Sequence, residues 1–270
     1  MCLHYTSQDH TVYHLYIMNR PAPRLLVETP LSQGISVELP RKKTHYLKHV
    51  LRLRIGAEVL IFNGHDGEWL AQIRKLGNKG CTLTAIKRTR DQTSTLSLIL
   101  VFAPLKKNAL DFLIQKSTEL GVGAIQPVIT ERTAVNRINK KRLTTQVHEA
   151  SEQCGRLEVP KILNPEPLIT FLNTWPDNKP LWTGDETGAG HNFSSVLQNW
   201  ASKRMQLNGQ GILIGPEGGF TINELATLRS MPFVTMVDLG PRILRAETAA
   251  VAALSCWQTV LGDWRRNGNL

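Results

Sequence analysis

The sequence predicts two folds in series, a small all-β barrel followed by an α/β domain with a mainly parallel sheet. Three observations carry this. Between Ile35 and Lys87, short strand patterns (ISVEL, AEVLIF, EWLAQI, GCTLTAI) surround one helical turn in KTHYLKHVL. After Thr95, continuous apolar runs alternate with amphipathic segments, the mark of strands joined by helices. Between them, Arg88 to Thr95 (RTRDQTST) is polar and without period, so it predicts a linker and a boundary near residue 94. The expected domains are therefore 1–94 and 95–270, with residues 1–12 as a flexible extension.

In the first domain, Asn63-Gly64 and Asp66-Gly67 mark a tight turn between two strands, and Gly77 with Gly80 marks the next. The predicted shape is a small antiparallel barrel. In the second, LSLILVFA reads as a buried strand. The segment Asn108 to Leu120 then presents Leu110, Leu113 and Ile114 on one helical face before Gly121 stops it. AIQPVIT, PLWTG, GILIG and FVTMVDLG are further strands, with helices near 139–154, 193–205 and 221–230. The last helix, Glu247 to Leu261, is apolar nearly all round and needs burial on more than one side. A subunit interface or a central position within one chain would each supply it.

Lys and Arg number 32 against 22 acidic residues, a formal charge of +10. Residues 1–94 hold 14 of the basic and 7 of the acidic groups, so the excess is concentrated in the first domain and favours a polyanionic partner there. Cys2, Cys81, Cys154 and Cys256 form no C-x-x-C pair, which argues against a zinc knuckle or redox motif and for reduced thiols. The start of the chain has no basic segment followed by an apolar one, and no run approaches the length of a membrane span. A cytoplasmic protein is expected, with neither metal nor membrane partner.

Two segments fall at the carboxyl ends of predicted strands, where open α/β sheets bind ligands. In the first, ILIGPEGGF (212–220) leads into Thr221 and Glu224, whose spacing is that of a capping box, so the glycines form a loop feeding a helix. Gly215, Gly218 and Gly219 would let a ligand lie against backbone, with Pro216 stiffening the turn. The pattern is neither a P-loop nor a dinucleotide fingerprint. The second, VDLGPRILRAETAA (237–250), places Ile243 and Leu244 between Arg242 and Arg245 in a loop; the apolar pair lines a pocket or plugs the core.

GPEGGF with its T-x-x-E turn, together with LGPRILRAETA at 239–249, resembles the signature of the SPOUT superfamily, and most closely its bacterial 16S ribosomal RNA (uracil-N3)-methyltransferase family. HYLKHVLRLRIGAEV (45–59), KNALDFLIQKSTELGV (107–122) and EASEQCGR (149–156) agree, so the resemblance spans both domains from about residue 14 onward. It departs in the first dozen residues and between Pro165 and Met205. The resemblance implies a PUA-like RNA-binding barrel, a trefoil-knotted methyltransferase domain using S-adenosyl-L-methionine (SAM), a homodimer, and 16S ribosomal RNA of the small subunit as substrate.

Methylating a uridine N3 requires loss of its proton and spreads negative charge onto the flanking carbonyls, so a fixed guanidinium is needed; Arg245 is the candidate. Glu247 is a candidate general base, although a glutamate in a first helical turn also simply complements the macrodipole. Leu213, Ile214, Gly215, Pro216, Glu217, Gly218, Gly219, Leu239, Gly240, Ile243 and Leu244 are expected to hold the cofactor, with Thr248 and Ala249 beneath it. Arg20, Arg41, Lys43, His45, Lys48, Arg52 and Arg54 are candidate RNA contacts, joined by Glu152, Gln153 and Arg156 from the second domain. Two other readings remain: a SPOUT enzyme acting on a ribose 2'-hydroxyl or a transfer-RNA base, and a non-catalytic RNA-binding assembly factor.

Overall fold

The strand period of two and the turn dipeptides of the first domain produce a single sheet. A computed structural model describes residues 22–78, 80–93, 98–133, 135, 138–203 and 209–265. Its chain divides into two compact units, Met1–Gln92 and Thr93–Leu270.

The first unit contains β1 (Arg24–Leu26), β2 (Ser36–Leu39), α1 (Arg41–His45) running into a π-helical turn (Tyr46–Val50), then β3 (Glu58–Phe62), β4 (Glu68–Leu76) and β5 (Cys81–Arg90). The strand order is β1-β3-β4-β5-β2. The pairings are antiparallel except β1 with β3, which is parallel. The antiparallel barrel expected from the pattern is thus seen as a five-stranded sheet with β1 and β2 at its edges. Alternate residues Val59, Ile61, Ala71, Ile73 and Leu83 are buried with Leu25 and Leu47.

β5 runs to Arg90, into the stretch predicted to be linker. Its charged end is useful to the sheet. Glu68, buried at the start of β4, accepts from Arg24 Nε at 2.6 Å and from Thr89 Oγ1 at 3.1 Å, with Arg90 Nη1 3.7 Å away. Arg88 stacks over Trp69 at 5.2 Å. A polar composition concealed a strand because its charges are paired across the ladder.

The second unit contains β6 (Ile99–Phe102), α2 (Lys107–Glu119), β7 (Ala124–Ile129), α3 (Lys140–Cys154), β8 (Lys161–Ile162), β9 (Glu166–Pro167), α4 (Leu168–Thr174), β10 (Leu181–Gly184), β11 (His191–Asn192), α5 (Phe193–Ser202), β12 (Gly211–Ile214), α6 (Ile222–Ser230), β13 (Val234–Asp238) and α7 (Ala246–Val260). Every pairing is parallel, in the order β11-β13-β10-β12-β6-β7-β8, with β9 also on β7. An all-parallel sheet must be covered on both faces, and two apolar clusters do this. Residues of α2, α3, α5 and α7, among them Leu113, Val147, Leu197 and Trp257, pack on Leu100, Trp182, Ile212 and Ile214. Leu168, Phe171 and Leu172 of α4 and Leu228 of α6 pack on Val101, Leu181 and Leu213.

Leu110, Leu113 and Ile114 of α2 are buried as their spacing predicts, and Gly121 follows with φ +86°. The final helix differs from its uniformly apolar reading. Ala246, Ala250, Ala253, Leu254 and Trp257 face inward, whereas Thr248 and Thr259 are exposed and Val251, Ala252 and Ser255 half-buried. Its apolar residues therefore cover one buried face and one half-open face of small side chains. Between Pro165 and Met205, a stretch poorly patterned apart from the PLWTG strand and the helix near 193–205, lie also β9, α4 and β11, each too short for a period to emerge. No helix among the described residues is long and apolar enough to cross a membrane.

Candidate functional site

Strands β12, β10 and β13 are neighbours, so the loops at their carboxyl ends converge. Gly215–Gly219, Asp185–Gly188 and Leu239–Arg245, with the first turn of α7 and the start of α2, line one cavity of about 1590 Å³. This is the strand-end position at which α/β sheets carry ligands. Both glycine-bearing turns singled out in the sequence belong to it.

The turn after β12 is built as its spacing predicts. Thr221 Oγ1 accepts from Glu224 N at 3.2 Å, and a Glu224 carboxylate oxygen accepts from Thr221 N at 2.8 Å, closing a capping box on α6. The other carboxylate oxygen accepts from Glu131 N at 2.8 Å, and Arg132 Nη1 donates to Gly218 O at 2.9 Å. The loop after β7 thereby braces the turn. Gly219 has φ +69°, and a Cβ there would lie 1.9 Å from Glu186 Oε1, so the glycine serves both the turn and the approach of that carboxyl.

Among the predicted cofactor residues, Ile214, Gly215, Pro216, Glu217, Gly218, Gly219, Leu239, Gly240, Ile243, Leu244, Thr248 and Ala249 line the cavity, as do Arg245 and Glu247. Leu213 does not: its side chain is wholly buried among α4 and α6 residues on the far face of the sheet. Ile243 is 91% exposed, which excludes a core plug and leaves it as an apolar residue at the cavity's rim. Arg245 caps α7 with an extended backbone and is exposed; Glu247 stands in that helix's first turn.

The sequence reading missed the third wall. Asp185 is buried, accepts from Thr187 N and Thr187 Oγ1 at 2.9 and 2.6 Å, and pairs with Arg229. Burial raises its pKa, but those donors outweigh burial and the net displacement is downward. Glu186 is an exposed residue that lines the cavity, with the end of its side chain against Gly219. Burial of that end, and then the Asp185 charge, push its pKa up against smaller opposing effects of the Phe220 N–H and Arg132. Lys106, Lys107, Asn108 and Phe112 complete the lining. Only the order of strands makes these residues neighbours of the glycine turns.

The predicted RNA contacts separate into two groups. Arg41, His45, Arg52 and Arg54 are exposed on and after α1, near exposed Tyr46, Val50 and Ile55, and His45 stacks with His49 at 4.8 Å. Lys43 instead donates to the Leu26 carbonyl, and Lys48 to Asn78 Oδ1 at 2.6 Å. Arg20 lies outside the described residues. In the second unit, Glu152, Gln153 and Arg156 are absent from the cavity lining. Arg156 turns inward, donating to Thr118 O at 2.8 Å and Glu158 O at 3.2 Å, and burial lowers its pKa. Its role is to tie the end of α3 to α2.

The cavity suits an adenosyl sulfonium. Backbone at Gly240 lies open and that at Gly218 meets only the Arg132 side chain at ordinary contact distance, Ile243 and Leu244 offer apolar surface for a base, and five carboxyl groups (Asp185, Glu186, Glu217, Asp238, Glu247) border the space for a cation. Among the described residues, no group of three or more His, Cys, Asp and Glu side chains is arranged to hold a metal ion.

Models of two families match the chain: an RNA methyltransferase domain over residues 92–258 and an RNA methyltransferase PUA domain over 39–86. Ribosomal RNA small subunit methyltransferase E of Rickettsia conorii is 35% identical over 86% of this chain and 93% of its own length. The Bacillus subtilis protein of that name is 27% identical over 87% and 95%. A crystal structure of the Neisseria gonorrhoeae protein of that name, bound to S-adenosyl methionine, superposes with a TM-score of 0.80 at 31% identity, covering 90% of this chain and all of that one. A PUA-like unit preceding a doubly covered parallel sheet with a strand-end cavity defines the class, a two-domain RNA methyltransferase. The chain belongs to the ribosomal RNA small subunit methyltransferase E family.

Proposed function

We propose that this protein transfers the methyl group of SAM to N3 of a uridine in 16S ribosomal RNA, acting in the cytoplasm on the small ribosomal subunit. The observation that carries this is the single cavity formed by the two glycine turns and the Asp185–Gly188 loop. When bound there, SAM supplies an electrophilic methyl, and the chain's own contribution is to place the uracil, exclude water and manage charge. Ile214–Gly219 and Leu239–Leu244 hold the cofactor mainly through backbone, with Thr248 and Ala249 beside it. Arg245 faces the uracil carbonyls on which charge collects as N3 loses its proton.

Residues 1–94 serve as the RNA-docking unit, with Arg41, His45, Arg52 and Arg54 on phosphates, and residues 95–270 as the methyltransferase. The half-open face of α7, with Val251, Ala252 and Ser255, supports a homodimer. The trefoil threading and the closure of the front sheet into a barrel follow from the family resemblance. The test is nucleoside mass spectrometry on small-subunit RNA from a strain lacking the gene, followed by methylation of its subunits with purified protein. Loss and restoration of N3-methyluridine are expected; loss of a 2'-O-methyl or transfer-RNA mark, or of no mark, would refute the reading.

A further inference from the structure

We propose that Glu186 is the general base that takes the uridine N3 proton. This deepens the reading above and rests on it. Five carboxyl groups border the cavity, and their surroundings differ. Asp185 is spent on Thr187 and Arg229, which hold it below the usual carboxylate range despite its burial. Asp238 accepts the Gly240 N–H at 3.0 Å within its own turn. Glu217 is exposed. Glu247, the candidate from the sequence, stands in the first turn of α7, at the edge of the second glycine turn and not between the two.

Glu186 is placed differently. It leaves the end of β10, the strand between β12 and β13, so it stands between the two glycine turns. Its carboxyl packs where a Cβ of Gly219 would be, and the absent side chain makes that position possible. The charged groups acting on it are Asp185 from its own loop, which raises its proton affinity, and Arg132 from the loop after β7, which lowers it less than burial and Asp185 raise it. Raised basicity beside the ligand space is what proton abstraction near neutral pH needs. In the step, the N3–H bond breaks and its proton goes to Glu186. The N3 electron pair then forms the bond to the methyl carbon, and the carbon–sulfur bond pair returns to sulfur.

The test compares wild type, Glu186→Gln and Glu186→Asp on small subunits or RNA carrying uridine or 5-fluorouridine at the target, with SAM binding measured by calorimetry. Fluorine at C5 acidifies N3–H, so a substrate that sheds its own proton has less need of the base. Glu186→Gln should retain SAM affinity and lose about 10²–10⁴-fold in methyl transfer at neutral pH. That deficit should shrink on 5-fluorouridine and as pH rises, and Glu186→Asp should lie between the two. Isotope-edited infrared titration of the enzyme without ligand should show one glutamate carboxyl titrating above the ordinary range, missing in Glu186→Gln. Weakened SAM binding with unchanged turnover at saturation would overturn the proposal in favour of a cofactor-holding carboxylate, as would an equal deficit on both substrates. Failure of the N3 reading is separable from these outcomes, because it appears in wild type as a methyl on another atom.

Discussion

Arg229 Nη2 lies 3.1 Å from Asp185 Oδ2, an ion pair joining α6, the helix fed by the glycine turn after β12, to the loop after β10. The pair is unequal: the Asp185 side chain is 0% exposed and Arg229 46% exposed. The carboxylate is therefore the member whose satisfaction matters, and the guanidinium reaches it from the solvent side. Since α6 is also capped through Glu224, which holds Glu131, the walls of the cavity are bound to one another by charge-assisted hydrogen bonds.

Replacing Asp185 by Asn should destabilise the protein by about 1–3 kcal/mol at neutral pH through lost charge-assisted bonds. The sign of its pH dependence follows from a folded-state pKa lower than the unfolded value of 3.8. Such a group contributes stability above the unfolded pKa and loses it as pH falls through the folded one. Thermal melts of wild type and variant should differ fully near pH 7 and converge in strong acid; a gap of constant size would contradict this.

Glu186 should behave in the opposite sense, although it is the next residue. Its folded pKa is raised above 4.5, so its protonated form is favoured on folding. The stabilising contribution is complete below the unfolded pKa and vanishes as pH rises through the folded one. Glu186→Gln should therefore melt no lower than wild type at pH 7 and lose that relative advantage toward pH 4. A lower melting temperature at pH 7 would show that the carboxylate is a structural ligand.

Much of the cavity was legible because its determinants are local. Thr221 and Glu224 announce a capped helix through their spacing alone, and Ile212-Leu213-Ile214 announces a buried strand by composition. What escaped is what depends on strand order. PLWTG was readable as a strand, but nothing local places it between GILIG and TMVD, so Asp185 and Glu186 gave no signal. The destination of long cations was equally hidden, since Lys43 and Arg156 look like surface charges until the carbonyls of Leu26 and Thr118 are seen to receive them. β5 escaped at its end because Arg88 and Arg90 resemble linker residues until Trp69 and Glu68 face them.

Gly219→Ala tests the close approach of the turn to its neighbour. At φ +69° an alanine bears backbone strain of about 1–2 kcal/mol. Its Cβ would also force the Glu186 carboxyl aside from a position 1.9 Å away. Lower melting temperature, weaker SAM binding and slower transfer are expected together. Gly218→Ala, whose Cβ would meet Arg132 only at ordinary contact distance of 3.6 Å, should be milder in the melt. Equal melts for the two variants would remove the special role given to Gly219.

The two groups of cations in the first unit predict different phenotypes. Arg41→Ala or Arg54→Ala removes an exposed charge, so RNA affinity should fall and the slope of log K against log salt should flatten by about 0.7–0.9 per contact. Lys43→Ala takes away a hydrogen bond to the Leu26 carbonyl, so its effect should appear in the melting temperature. A salt slope changed by Lys43→Ala with no change in melting would reverse this assignment.

Arg245 separates binding from chemistry. It lines the cavity from the cap position of α7, is exposed, and no side-chain hydrogen bond from it caps the helix, so its removal costs the fold little. If it meets the charge that develops on the uracil carbonyls, Arg245→Ala should lower turnover by about 10²–10³-fold with SAM affinity and melting temperature unchanged. Because a guanidinium stabilises the anion and does not accept the proton, 5-fluorouridine should leave much of this deficit in place, unlike that of Glu186→Gln. The decisive measurement is the ratio of the two substrates' single-turnover rates in both variants: parallel recovery would mean that one residue's role has been mistaken for the other's.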